Sequence, residues 1–165
     1  MAMKPLTRRS PDWTQTAPVK ASATREIAAT ADEVFTALAD HETWPEWFTS
    51  ISRVERFGEL DAGVGSNRSV FVGKVRIDEE FIVWDEGKEW GFTVIAASIG
   101  FLRSLNELVT IQDIGPDRVR VTYLMAIDPK PWAKPLALVA RRQLKKNLGE
   151  ALDNLGPHIA KNRTD

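Results

Sequence analysis

Residues 66–83 read SNRSVFVGKVRIDEEFIV, and the Gly73-Lys74 dipeptide in their middle separates two runs of alternating character. A two-residue loop there places Val72 opposite Val75, Val70 opposite Ile77, Arg68 opposite Glu79 and Ser66 opposite Phe81. Residues directly opposite each other share one face of a sheet. The alternate set Arg76, Asp78 and Glu80 is wholly polar and belongs to solvent, so the interior receives Val70, Val72, Ile77, Phe81 and Val83. Arg68 and Glu79 travel with the apolar set.

The same reasoning extends outward. Closing the turn Asp85-Glu86-Gly87-Lys88 at Trp84 and Glu89 pairs Val83 with Trp90 and Phe81 with Phe92. It also sets Trp84 on the outer face, either covered by the N-terminal segment with Trp13 as its partner or exposed as a contact patch. Closing Gly115-Pro116-Asp117 at Gln112 and Arg118 turns Val109, Ile111, Val119, Val121, Tyr123 and Met125 inward, with Glu107 opposite Tyr123. Strands are thus expected over 51–60, 66–72, 75–84, 89–97, 105–112 and 118–127. The stretch between two of them, 98–103, is irregular, and 98–102 within it is a candidate gate.

Upstream, residues 19–28 alternate weakly as a strand. Thr30 and Glu33 then stand at capping-box spacing before Val34, Phe35 and Leu38, the apolar face of a helix. Trp44, Trp47 and Phe48 follow in a short second helix or turn. The longest helix is expected from Pro135, with Leu136, Ala140, Leu144, Leu148, Ala151, Leu152 and Leu155 on one side and Gly156-Pro157 as its stop. Residues 1–18, rich in proline and polar side chains, read as a flexible tail, and 19–165 as a single domain.

Composition narrows the chemistry. The 165 residues are 43% hydrophobic and 27% charged, as in one globular domain. The absence of cysteine excludes a disulfide scaffold, a thiolate metal site and a catalytic thiol. Two distant histidines, His41 and His158, offer little for a zinc site or a serine-histidine triad, so neither metal nor cofactor is expected. A net charge of −1 provides no field for nucleic acid. No apolar run reaches membrane-spanning length and the N-terminal stretch lacks a secretory core, so a cytoplasmic protein is expected. Charge is uneven, however. From Lys130 onward eight basic side chains face three acidic ones. Within that region Arg141, Arg142, Lys145 and Lys146 could dock transiently on anionic lipid headgroups, although a solvated helix face is the plainer reading.

The segment IAATADEVF at 27–35, Leu38-Ala39-Asp40 with Pro45-Glu46-Trp47, Val64-Gly65-Ser66 followed by Arg68, and the amphipathic C-terminal helix resemble the START-like, or SRPBCC, superfamily in its polyketide cyclase/dehydrase and lipid-transport branch. The resemblance implies an α+β helix-grip fold: a curved antiparallel sheet wrapped around the long C-terminal helix, with two short helices after the first strand. It implies a mainly apolar cavity between sheet and helix. Family members bind lipids, sterols or polyketides, and only some are enzymes.

On that fold the candidate ligand-lining residues are Trp44, Trp47 and Phe48 near the mouth, although aromatics at helical spacing are more often core. The sheet contributes Val70, Ile77, Phe81, Trp90, Phe92, Val121, Tyr123 and Met125, the irregular stretch Phe101, and the long helix Leu136, Leu144 and Asn147. Arg68, Glu79, Glu107 and Tyr123 form a polar set inside an apolar interior, where charges need partners. A structural Arg68–Glu79 pair is the plainer account. In the sharper account Arg68 and Tyr123 donate to a carbonyl or carboxylate on an apolar ligand. Three functions follow: a carrier or sensor of a hydrophobic small molecule; a polyketide cyclase, aromatase or dehydratase with Glu79 or Glu107 as base; or an interaction module with a closed cavity and a patch around Trp84.

Overall fold

The computed structural model describes residues 2–163. After a two-residue strand β1 (Lys4–Pro5), β2 (Val19–Ile27) runs to the first helix. The Thr30 side chain accepts from the Glu33 amide while the Glu33 carboxylate accepts from the Thr30 amide, which starts α1 (Ala31–Ala39). Then come α2 (Trp44–Trp47), β3 (Arg53–Phe57), β4 (Asn67–Val72), β5 (Val75–Asp85), β6 (Glu89–Ala97), β7 (Leu102–Gly115), β8 (Arg118–Pro129) and α3 (Lys134–Asn162). The strands form one antiparallel sheet in the order β2-β8-β7-β6-β5-β4-β3, and α3 packs against β2, β8 and both shorter helices. This is the helix-grip arrangement that the resemblance implies.

The β4–β5 register is the one read from Gly73-Lys74, down to Arg68 opposite Glu79. Further along, β5 carries a bulge between Phe81 and Val83, so Trp84 pairs with Trp90 and Val83 with Gly91. One extra residue on one strand reverses the faces beyond it. Trp84 therefore points inward, edge-on to Phe35 at 5.6 Å and Phe81 at 5.1 Å, and no patch forms around it. In the β7–β8 hairpin Gln112 faces Arg120 and Gly115 faces Arg118, which sets Val109 opposite Tyr123 and Glu107 opposite Met125. The expected pairing is displaced by two residues, and a displacement of two leaves each side chain on its expected face.

Two other expectations are corrected. The Gly156-Pro157 pair does not end α3, although proline gives up a backbone hydrogen bond there. Leu155, His158 and Ile159 remain buried on either side of it, and Arg163 just beyond the helix donates to the Glu33 carboxylate. Residues 2–18, expected as a flexible tail, lie along the sheet. β1 pairs with β6 beyond the point where β7 diverges, and the Leu6 and Thr7 amides donate to Ile95 and Arg103. Arg9 then donates from its backbone to Thr93 Oγ1 and from its side chain to Ser104 Oγ, while Asn106 Nδ2 donates to the Arg9 and Ser10 carbonyls. Thr93, Ser104 and Asn106 are buried polar groups on the outer side of the sheet, and this segment supplies their partners. Trp13 lies under the Arg9 guanidinium, not against Trp84.

Gly91 marks the closest approach of β6 to β7: a Cβ there would sit 2.7 Å from the Glu107 carbonyl and 2.9 Å from Leu108 Cδ1. Gly91→Ala is expected to lower stability by about 2 kcal/mol in urea unfolding, as overpacking at backbone contact does. An unchanged midpoint would contradict this strand spacing.

Candidate functional site

A cavity of about 340 Å³ lies between the sheet and the N-terminal half of α3. The helix leaves this space because the residues it turns inward there, Ala137 and Ala140, are small. Further along, Leu148, Leu152 and Leu155 close the gap. Val70, Ile77, Phe92, Val94, Leu105 and Ile127 form the sheet wall, with Trp44, Phe48 and Ile51 at one end. Half-exposed Val72 and Phe101 stand at the mouth, beside Val75 and Ile99.

The wall is apolar except for Ser50, Asn147 and a group around Arg68. Its guanidinium is fully buried, and Nε donates to Glu79 Oε2 at 2.6 Å. Aromatic rings surround it, with Trp44 at 4.0 Å, Trp90 at 5.0 Å, Phe92 at 5.1 Å and Phe81 at 5.3 Å from Cζ. Such faces are favourable for a cation. They do not accept its remaining protons as an oxygen would: Nη1 and Nη2 have no hydrogen-bond partner among the described residues. Across the same cavity the Tyr123 hydroxyl donates to Glu107 Oε2.

Burial pushes Glu79 up to about 7 against the opposing pull of Arg68. Glu107 rises further, to about 8, because burial is reinforced by the charge of Glu79. Burial and Glu107 together raise Tyr123 well above 10. Glu79, hydrogen-bonded to a fixed cation at 2.6 Å, is the first of the two carboxyls to ionise as pH rises, and Glu107 keeps its proton longer. The group can offer donors to a ligand oxygen and contains no free base. His41, which sequence alone would put at a helix end or on the surface, is buried and stacked on Phe81 at 5.4 Å; burial, then the charge of Arg68, holds it down at about 3.

Of the residues expected to line a pocket, Trp44, Phe48, Val70, Ile77, Phe92, Phe101, Tyr123, Met125, Leu144 and Asn147 surround the cavity, together with Arg68, Glu79 and Glu107. Trp47, Phe81, Trp90 and Val121 instead belong to the packed core behind it. Trp47 packs at a tilt against Trp44 and Phe48, and Phe81 and Trp90 belong to the ring cluster under Arg68. Leu136 is 66% exposed, because α3 turns Ala137 rather than Leu136 toward the sheet. The lining expected from sequence left out Ser50, Ile51, Val72, Val75, Val94, Ile99, Leu102, Leu105, Ile127, Ala137, Ala140 and Leu148. Leu105 and Val94 could have been found by carrying the strand alternation further. Among the described residues no group of three or more histidine, aspartate or glutamate side chains is placed to hold a metal ion, and no helix is long and apolar enough to cross a membrane.

Residues 18–160 match the family model described as polyketide cyclase/dehydrase and lipid transport. The chain is 32% identical over 154 residues to the uncharacterized protein Rv2574 of Mycobacterium tuberculosis, covering 93% of this chain and 92% of that one. Among solved structures, a START superfamily protein from Mycobacterium smegmatis superposes with a TM-score of 0.72 at 17% identity, over 85% of this chain and 98% of that one. The Zhui aromatase/cyclase from Streptomyces sp. R1128 superposes with a TM-score of 0.69 at 15% identity, over 87% and 94% of the two chains. At these identities the two structures share the fold.

Because the folded chain holds the Glu107 proton more tightly than the unfolded chain does, its contribution to stability is greatest below pH 4.5 and is lost as pH rises toward about 8. Glu107→Gln keeps an acceptor for Tyr123 and cannot ionise. It is expected to gain on the order of 2 kcal/mol relative to the parent between pH 5 and pH 9 in chemical unfolding. Parallel pH profiles would show that Glu107 is not the buried acid.

Proposed function

The chain belongs to the polyketide cyclase/dehydrase and lipid transport family, and we propose that it acts as a carrier or sensor of a hydrophobic small molecule held between the sheet and α3. The observation that carries this reading is a mainly apolar cavity with the Arg68 guanidinium buried in its wall, where only Nε of the three nitrogens is hydrogen-bonded. An unsatisfied buried donor costs about 1 to 3 kcal/mol, and more when charged, so a ligand oxygen that displaces part of the ring packing and reaches Nη1 and Nη2 recovers that cost on binding. The matching ligand has an apolar body, lipid or polyketide-like, and one carbonyl or carboxylate oxygen at its end. A cavity of about 340 Å³ suits a compact molecule of this kind. The proposed place of action is the cytoplasm.

A non-catalytic role is preferred because the two carboxyls are already committed. Glu79 neutralises Arg68, and Glu107 is an acid at neutral pH that accepts from Tyr123. The catalytic alternative is a cyclase, aromatase or dehydratase in which Arg68 and the Glu107–Tyr123 pair stabilise an enolate oxygen. It requires Glu79 or Glu107 to release its present partner and act as base.

The test compares cis-parinaric acid, which has a carboxylate head, with diphenylhexatriene, which has none. Arg68→Met alone would strand the Glu79 charge, so the variant to use is Arg68→Met with Glu79→Gln, which removes both partners. The parent is expected to bind both probes. The double variant should bind diphenylhexatriene as the parent does and cis-parinaric acid at least about tenfold more weakly. Equal loss of both probes, or no binding by the parent, would overturn the reading. Turnover of a poly-β-ketone analogue by the parent would replace carrier with enzyme.

A further inference from the structure

The N-terminal half of α3 does two things at once. Its inner side, Ala137, Ala140 and Leu144, is a wall of the cavity. Its outer side is apolar where a surface helix is ordinarily polar: Leu136 is 66% exposed, Val139 76%, and Trp132, in the 3₁₀ turn just before the helix, 70%. Phe101, at the cavity mouth, adjoins this end of the helix, because its carbonyl accepts from the amide of Lys130. Exposed apolar side chains are therefore concentrated beside the opening.

Charge surrounds them with a single sign. Between residues 130 and 149 there are six basic residues, Lys130, Lys134, Arg141, Arg142, Lys145 and Lys146, and no acidic one. Of these only Lys146 forms an ion pair among the described residues, with Glu150 at 3.7 Å. Val139, Arg142 and Lys146 follow one another at helical spacing along the outer face, so cations and apolar tips lie on the same side. A tryptophan and aliphatic side chains interleaved with lysine and arginine along one helix match the boundary of an anionic bilayer, where the rings and methyl groups enter the headgroup region and the cations meet phosphates. A second copy of the chain fits poorly, because face-to-face contact would set one cationic ring against another.

We propose that Trp132, Leu136 and Val139, with the flanking Lys134, Arg142 and Lys145, dock the protein on an anionic membrane and turn the cavity mouth toward it. Among the described residues no helix is long and apolar enough to span the bilayer, and the proposed attachment is reversible. The cavity's occupant could then enter and leave along the lipid boundary without crossing water. The surface is independent of what the cavity holds, and its failure would leave the binding reading intact.

The experiment measures sedimentation of the full chain with sucrose-loaded vesicles of phosphatidylcholine, with or without about 30 mol % phosphatidylglycerol. The protein is expected to partition onto the anionic vesicles only, and about 0.5 M salt should weaken binding at least about tenfold. Trp132→Ser with Val139→Ser, and separately Arg142→Glu with Lys145→Glu, should each reduce partitioning at least about tenfold at an unchanged unfolding midpoint, since all four side chains are exposed. Brominated lipid should quench part of the tryptophan fluorescence, and Trp132→Phe should abolish that quenching. Absence of vesicle binding would overturn the proposal, as would full retention in either double variant. So would binding without quenching, which marks adsorption by charge alone, or a dimer in solution that Trp132→Ser dissolves.

Discussion

A guanidinium fully excluded from water, with aromatic rings on several sides, is the constraint on which this interior depends. Arginine stays charged in a protein, so its burial demands a counter-charge within hydrogen-bonding distance. Glu79 meets that demand because the two-residue Gly73-Lys74 loop fixes the register that sets it opposite Arg68. A slip of one residue would move both side chains to the other face. The consequence reaches the far wall of the cavity. Burial, reinforced by the charge of Glu79 as that group ionises, keeps the proton on Glu107 and with it the Tyr123 hydrogen bond.

The parts of this arrangement that were legible from the chain are those governed by strict alternation. Gly73-Lys74 sufficed to pair Arg68 with Glu79, and the polar run Arg76, Asp78, Glu80 identified the outer face. The Thr30–Glu33 capping box was equally plain, because its spacing is its mechanism. What escaped were irregularities with no residue type of their own. The bulge that brings Trp84 inward lies within Phe81-Ile82-Val83, a run apolar enough to suit either face. Pro157 looked like a stop because local propensity favours one, whereas Leu155, His158 and Ile159 are held in place by tertiary packing.

The candidate site was legible in its polar group and less so in its lining. Arg68, Glu79, Glu107 and Tyr123 were recognisable as charges and hydroxyls on an apolar face, and all four line the cavity. Whether an inward aromatic faces a void or a neighbour depends on depth, which alternation does not report. Phe92 lines the space, while Trp90, two residues away on the same face, packs beneath Arg68. The helix was misjudged for a related reason. Leu136 looked like the start of the buried stripe, yet the cavity exists because alanines occupy that end of α3 and the larger apolar side chains face outward. The placement of the N-terminal segment is not legible locally, because the groups that hold it, Thr93, Ser104 and Asn106, belong to distant strands.

A cavity with walls of alanine and aromatic rings, unpartnered donors at its side and an apolar, cationic rim at its mouth is consistent throughout with a small amphipathic cargo. Native mass spectrometry of the freshly purified chain tests that most directly. The account predicts a bound fraction heavier than the polypeptide, released on unfolding as an apolar molecule bearing a carbonyl or carboxyl oxygen. A chain that is empty as isolated and stays empty when offered such molecules would contradict it, as would a cargo without any hydrogen-bond acceptor.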